Sequence, residues 1–180
     1  MKKWIFDKEH SQLFFEAKHL MIANVIGQIE DFDVTVNLKN EAFDKADFKM
    51  SAQTNSLSTR DKIRDDHLKN EDFLDVQHFP ELSFKSTTLK EDKAGNHKLI
   101  GLLTLRGITK EVALNIDIGG RVVDSYSGDI KSGYSISGQI DRRDFGINFS
   151  LPMIGGGLAV SHIIKVRAEL EFTLIENDLS

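Results

Sequence analysis

The sequence predicts an all-β protein: an antiparallel sheet that closes into a barrel or doubles over, with a short helical segment over about residues 60–75 capping or flanking it. Apolar and polar residues alternate with period two in a series of separate stretches, as half-buried antiparallel strands require. Between them lie glycine-, asparagine- and aspartate-rich turn signals rather than crossover helices. A single polar island, Ser58 to Pro80 (STRDKIRDDHLKNEDFLDVQHFP), interrupts the series.

The elements follow in order. Leu13, Phe15 and Ala17 alternate with Gln12, Glu16 and Lys18, although Phe14 breaks the outer face. Phe32, Val34, Val36 and Leu38 alternate with Asp33, Thr35 and Asn37, and Phe48, Met50 and Ala52 with Lys49, Ser51 and Gln53. After the island come Leu82 and Phe84 against Ser83 and Lys85. Leu99–Leu105 (LIGLLTL) is apolar on both parities, so this strand is expected to be covered on both faces, the outer one by the helix. Val112, Leu114, Ile116 and Ile118 form the next inward row, then Tyr134, Ile136 and Ile140, then Val166, Ala168, Leu170, Phe172 and Leu174. Seven or eight such strands fit a sheet whose edges are removed by closure. Turns are expected at Gly95-Asn96, Gly119-Gly120 and Gly128-Asp129, with a mobile hairpin at Gly155 to Gly157.

Within the island, Ser58 or Thr59 can cap a helix, Asp61 sits against the positive end of its dipole, and Asn70 offers a second cap. Ile63, Leu68, Phe73 and Leu74 are its expected inward face, and Pro80 returns the chain to extended backbone.

A chain of 180 residues is the size of one domain, 1–180, and buries about 70% of its unfolded surface without staples. It has no cysteine, which excludes disulfides, thiolate metal sites and thiol nucleophiles. Net charge is -5, with 23 basic residues spread among 28 acidic ones, so a nucleic-acid partner is not expected. No stretch approaches the roughly 18 consecutive apolar residues of a membrane-spanning helix. Asp7, Lys8, Glu9 and His10 interrupt any apolar run after Lys2-Lys3, so no signal peptide is read and a cytoplasmic location is expected, or a periplasmic one if a leader has been removed. A homodimer is compatible with the sequence, but no pattern specifies one.

His67 and His78, with Asp65, Asp66 and Asp75, lack any spacing that sets two ligands on one helical face, so no metal site is expected. An acid/base pair could be built from His67 with Asp65 or Asp66, but no G-x-S-x-G elbow or other marked nucleophile accompanies it. The glycines at 155–157 lack the Gly-Lys-Ser/Thr of a phosphate loop.

Four blocks in order, WIFDKEHSQLFFEAKHLMIANVIGQIEDFD (Trp4 to Asp33), SLSTRDKIRDDHLKNEDFLDVQHFPELSFKS (Ser56 to Ser86), GLLTLRGITKEVALNI (Gly101 to Ile116) and DRRDFGI (Asp141 to Ile147), resemble the YceI-like family of bacterial lipid-binding proteins. The His10-Ser11 opening, Lys18-His19-Leu20-Met21, Arg64-Asp65-x-His67-Leu68 and Thr104-x-Arg106-Gly107-x-Thr109-Lys110 carry the likeness. The resemblance implies an extended, lipocalin-like antiparallel barrel whose lumen holds a polyisoprenoid or similar long-chain amphiphile, with no catalysis established for the family as a whole. Many members carry a secretion signal; this chain looks like the cytoplasmic branch.

A small barrel is either filled by side chains or just wide enough for one ligand. The expected tail-binding rows are Leu13, Phe15, Ala17, Val34, Val36, Phe48, Met50, Phe84, Leu114, Ile116, Ile136, Val166, Ala168 and Leu170, with Ala17, Ala52 and Ala168 leaving room. Arg60, Arg64 and His67 are the head-group candidates at the mouth, joined by Arg106 and Arg142 at strand ends, with Asp61 and Asp65 holding the arginines. The expected function is therefore non-catalytic binding, storage or transport of a polyisoprenoid, isoprenoid quinone or related amphiphile, with that lipid as ligand and no cofactor. The alternative is a hydrolase acting on a lipid ester, amide or pyrophosphate through His67 and a neighbouring carboxylate.

Overall fold

The computed structural model describes residues 2–39, 42–152, 154 and 157–176. They form β1 (Lys2–His19), β2 (Ala23–Ile29), β3 (Phe32–Lys39), β4 (Ala42–Gln53), the two-residue β5 (Leu57–Ser58), α1 (Lys62–Lys69), β6 (Glu81–Glu91), β7 (His97–Leu105), β8 (Ile108–Val123), β9 (Ile130–Asp141) and β10 (Val160–Glu176). All strand pairs are antiparallel, in the order β3-β4-β6-β7-β8-β9-β10-β1-β2-β5.

The sheet curls until β3 lies against β1, where the rings of Phe6 and Phe32 meet at 5.4 Å. No ladder among the described residues joins β2 to β3. The two strands are instead consecutive in the chain, separated by the exposed corner Glu30-Asp31, so covalent connection and side-chain packing close the curl. Gln53 N–H donates to the Asp31 carbonyl at 2.8 Å and Asp31 N–H to Ser56 Oγ at 2.9 Å, which satisfies the corner's backbone. β2 and β5 add to the strands expected from alternation.

β1 shows why its period-two reading stops at Gln12. Asp7 pairs with Glu171 and Gln12 with Glu169, so β1 uses five residues where β10 uses two. An odd surplus flips the inward parity, from Trp4 and Phe6 before the bulge to Leu13, Phe15 and Ala17 after it. Ser11 staples the irregularity: its hydroxyl donates to the Asp7 carbonyl at 2.6 Å and accepts from Glu171 N–H at 2.9 Å. Asp7 itself binds Lys131 Nζ at 2.8 Å and His10 Nδ1 at 3.0 Å. Burial alone would raise the Asp7 pKa, but the Lys131 and His10 hydrogen bonds outweigh it and hold it down to about 2.

Three local expectations are corrected. Gly119-Gly120 is not a turn: it lies inside β8 at a register shift between Ile118 and Arg121, with Gly120 at φ 70°. The outer face of β7 is open rather than covered by the helix, with Leu102 exposed, because α1 sits over one end of the barrel. The helix cap is Asp61, not Ser58 or Thr59; its carboxylate accepts from Arg64 N–H at 3.1 Å. The turns at Gly95-Asn96 and Gly128-Asp129 are where expected, whereas Gly155 and Gly156 lie outside the described residues.

The core is uneven along the barrel. At the end remote from α1, Phe48 packs on Tyr134 at 4.9 Å, Tyr134 on Phe172 at 5.9 Å, and Phe172 on Phe6 at 5.8 Å. These rings plug that end. Under α1, Phe73, Leu105, Phe145 and Ile147 form a second, smaller cluster.

Candidate ligand cavity

Between the aromatic plug and α1 the barrel encloses a cavity of about 730 Å³, within the usual range of small-molecule sites. On β10 its lining runs from Val160 to Leu170, about 33 Å of strand. Only seven of the forty lining residues carry a polar side chain: Lys18, His19, Asp61, Arg64, His67, Arg142 and Arg167.

Twelve of the fourteen expected tail-binding residues line this space; Val36 and Ile116 do not. Those two are buried in the filled end beside the plug, because the inward row of a strand continues past the point where aromatic rings fill the lumen. Ala17 and Ala168 face the cavity, whereas Ala52 is buried away from it. Ile63 is corrected from inward to 85% exposed, at the rim where it still borders the opening.

Several bulky lining side chains lie back along the wall because the neighbouring strand has a glycine. A Cβ at Gly27 would sit 2.2 Å from Phe15 Cζ, and one at Gly101 would sit 2.4 Å from Phe84 Cζ. The rings occupy the space a side chain would take, which keeps them from crossing the lumen. Period two located Phe15 and Phe84 as inward; the glycines that set their tilt carry no such signal.

Of the five expected head-group residues, Arg64, His67 and Arg142 line the cavity and Arg60 and Arg106 do not. Arg60, in the left-handed region at φ 65°, is exposed just before α1. Arg106 and Gly107 form the tight β7–β8 turn at φ 51° and 72°, and Arg106 Nη1 donates to the Phe73 carbonyl at 3.1 Å, tying that turn to the segment after α1. Arg64 is held by Thr59 rather than by Asp65: Nε donates to Thr59 Oγ1 at 2.7 Å and Nη2 to the Thr59 carbonyl at 2.9 Å. Asp65 accepts from Thr59 N–H at 2.8 Å, and Asp66 pairs with Lys62 at 2.9 Å. The His67 partner is therefore neither of these but Asp72, 2.9 Å from Nε2, with the imidazole edge-on to Phe73 and Phe149 at 5.0 Å each.

Arg142 is 3% exposed and, among the described residues, is held by backbone carbonyls: Nε donates to Ser161 at 3.0 Å, Nη1 to Ile147 at 2.6 Å and Nη2 to Val160 at 3.4 Å. The adjoining Asp141 is taken by Arg143. Burial pushes the Arg142 pKa below its ordinary value, with Asp141 opposing. Three of five N–H groups are used, and the guanidinium borders the cavity. Among the described residues the lining contains no serine, threonine, tyrosine or cysteine.

Asp7, His10 and Glu171 are close enough to share an ion, but Lys131 Nζ already stands between the two carboxylates, 2.8 Å from each. That cluster is the ion pair across the β1 bulge, and none of its three residues lines the cavity.

The model of the YceI-like domain matches residues 4–172. A UPF0312 protein of Staphylococcus aureus (strain N315) is 31% identical over 176 residues, 98% of this chain and all of the relative. The Campylobacter jejuni YCEI protein superposes with a TM-score of 0.74 at 27% identity, covering 89% of this chain and 90% of that one. A polyisoprenoid-binding domain from Saccharophagus degradans superposes with a TM-score of 0.65 at 11% identity, covering 96% and 99%, a likeness of fold alone. With the family model spanning the curled sheet, α1 and the cavity, the chain belongs to the YceI-like domain family.

Proposed function

We infer that the protein binds a long-chain hydrophobic ligand, a polyisoprenoid, isoprenoid quinone or related amphiphile, in the barrel cavity, and stores or transports it without chemical change. The observation that carries this reading is the long cavity, almost wholly apolar, plugged by aromatic rings at one end and bordered by polar groups at the other. Each methylene transferred from water into such a wall gains about 0.8 kcal/mol, so ten gain about 8 kcal/mol before ordering costs. The polyisoprenoid-binding description of the Saccharophagus degradans domain supports the ligand class by analogy.

The tail lies along Leu13, Phe15, Met50, Ile136, Val166 and Ala168, and the head group meets Arg64, His67 and Arg142, with Lys18 added to the residues expected from sequence. Arg142 is the anchor: a buried cation without a carboxylate partner among the described residues gains most from an acceptor that enters the cavity.

Native mass spectrometry on protein purified without detergent, followed by extraction and identification of the released compound, tests this. A stoichiometric long-chain adduct is expected. Protein that is empty and also refuses added prenyl lipids overturns the reading. The hydrolytic alternative rests on the His67–Asp72 pair and requires that His67→Ala abolish turnover of a lipid ester, amide or pyrophosphate while lipid binding persists.

A further inference from the structure

The β1–β2 hairpin ends in His19-Leu20-Met21-Ile22, where Ile22 N–H donates to the His19 carbonyl at 3.1 Å and both central residues are left-handed, at φ 49° and 59°. This is the type I′ geometry that Asn-Gly adopts without strain. Here it is built from leucine and methionine, and it holds Leu20, Met21 and Ile22 in solvent, Ile22 at 82% exposure. The tip grows directly from the cavity rim: Lys18 and His19 line the cavity, and Leu20 N–H donates to the carbonyl of Ala159, another lining residue, at 2.8 Å. Ile63 on α1 and Leu151 border the same opening and are also exposed.

Charge is distributed to match. The sequence segments 17–29 and 145–168, from which Lys18, His19, Leu151, Ala159 and Val160 line the cavity, contain no acidic residue in a chain with 28 of them. On α1, which also borders the opening, the acids of the helix and its cap are held locally: Asp61 caps α1, Asp65 binds Thr59 and Asp66 binds Lys62. Neither Lys18 nor Arg60, both exposed, has a carboxylate partner among the described residues.

We propose that the cavity mouth is a membrane-docking surface: Leu20, Met21, Ile22, Ile63 and Leu151 enter the interfacial region of an anionic bilayer, and Lys18 and Arg60 rest on its head groups. Apolar side chains projecting from separate tips, flanked by Lys18 and Arg60, suit a deformable interface with negative surface potential rather than a flat protein face. The chain's net negative charge turns the rest of the molecule away from that surface. The proposal rests on the lipid-carrier reading for its purpose, since a ligand stored in a bilayer can then pass into the cavity without crossing water, but docking itself is measurable without ligand.

The test is flotation of delipidated protein with phosphatidylcholine vesicles and with vesicles containing phosphatidylglycerol, comparing wild type with the double substitution Leu20→Asn, Met21→Gly, which keeps the turn. Wild type is expected to float with the anionic vesicles and to partition at least about tenfold less in high salt. The double variant is expected to partition about tenfold less than wild type, to take up a prenyl alcohol delivered in ethanol as wild type does, and to load more slowly from vesicles. Lys18→Glu with Arg60→Glu is expected to weaken binding to the anionic vesicles more than binding to the phosphatidylcholine vesicles. A wild type that floats with neither vesicle, or a double variant that floats equally well, overturns the proposal. So does a concentration-dependent dimer in sedimentation velocity that the double variant dissolves, which assigns the tip to a second copy of the chain. Flotation without prenyl-lipid uptake leaves docking standing and removes the carrier reading; uptake without flotation does the reverse.

Discussion

The ring of Phe15 lies in the space above Gly27, its cross-strand partner, so that a Cβ on residue 27 would fall 2.2 Å from Phe15 Cζ and 2.8 Å from Thr59 Cγ2. Gly27→Ala therefore swings the Phe15 ring into the cavity, since the far end of a side chain yields more easily than the backbone. The expected outcome is a prenyl-lipid affinity reduced about tenfold with a stability cost of about 1–2 kcal/mol. Fluorescent-lipid titration and denaturant unfolding check the two numbers separately. Restored affinity in Gly27→Ala with Phe15→Leu identifies the ring as the obstruction.

Ala168 stands between Leu13 on β1 and Ile136 on β9, and all three line the cavity. Ala168→Phe puts a ring into the cavity rather than into the packed core, so stability should change by less than about 1.5 kcal/mol while long-chain binding falls about tenfold or more. Short-chain prenyl alcohols, compared with long ones in the same titration, should lose less if the ring blocks the path partway along.

Arg142→Met removes the donors that satisfy the carbonyls of Ile147, Val160 and Ser161, at an expected cost of about 3 kcal/mol, read from urea unfolding. Arg142→Lys should not restore stability, because an ammonium cannot span three carbonyls set around a planar fork. Among variants that fold, binding of an anionic amphiphile should fall more than that of the neutral alcohol of equal length.

The Asp7–Lys131 pair gives stability a pH dependence of defined sign. Asp7 is 17% exposed and its folded pKa is about 2, below the ordinary 3.8, so its contribution is complete above about pH 4 and is lost as pH falls toward 2. Allowing for partial solvent screening, about 1–2 kcal/mol should disappear over that range in the wild type and be missing from Asp7→Asn. His10, whose pKa the Asp7 hydrogen bond raises, contributes in the opposite sense: its share is present below its ordinary 6.5 and is lost as pH rises through the higher folded value. Unfolding midpoints measured from pH 2 to 8 on both proteins separate these limbs.

Leu20→Asn with Met21→Gly has a second consequence, independent of membranes. Two non-glycine residues in left-handed backbone cost about 1–2 kcal/mol each, so the variant should be more stable than wild type by about 1–3 kcal/mol. Differential scanning calorimetry should show a higher Tm.

Alternation alone determined which side chains point inward, because successive residues of a strand face opposite ways whatever their partners. This is why Leu13, Phe15, Met50, Ile136 and Leu170 were legible as cavity wall. The polar island was legible as a helix over the barrel end, with Arg64 and His67 at the opening, from its charged composition between two strands, although its N-cap is Asp61 rather than Ser58 or Thr59. What the sequence left open was decided by distant pairing. The β1 bulge resets parity through its register with β10, and the β2–β3 corner closes the curl without a ladder. Rings from β1, β4, β9 and β10 converge to fill one end, which turns Val36 and Ile116 from wall into core. Arg106 and Arg142 both sit at strand ends, yet one clamps a turn and the other is buried beside the cavity. Local period fixes the direction of a side chain; whether it meets a neighbour or leaves a void depends on strands brought together only when the sheet curls.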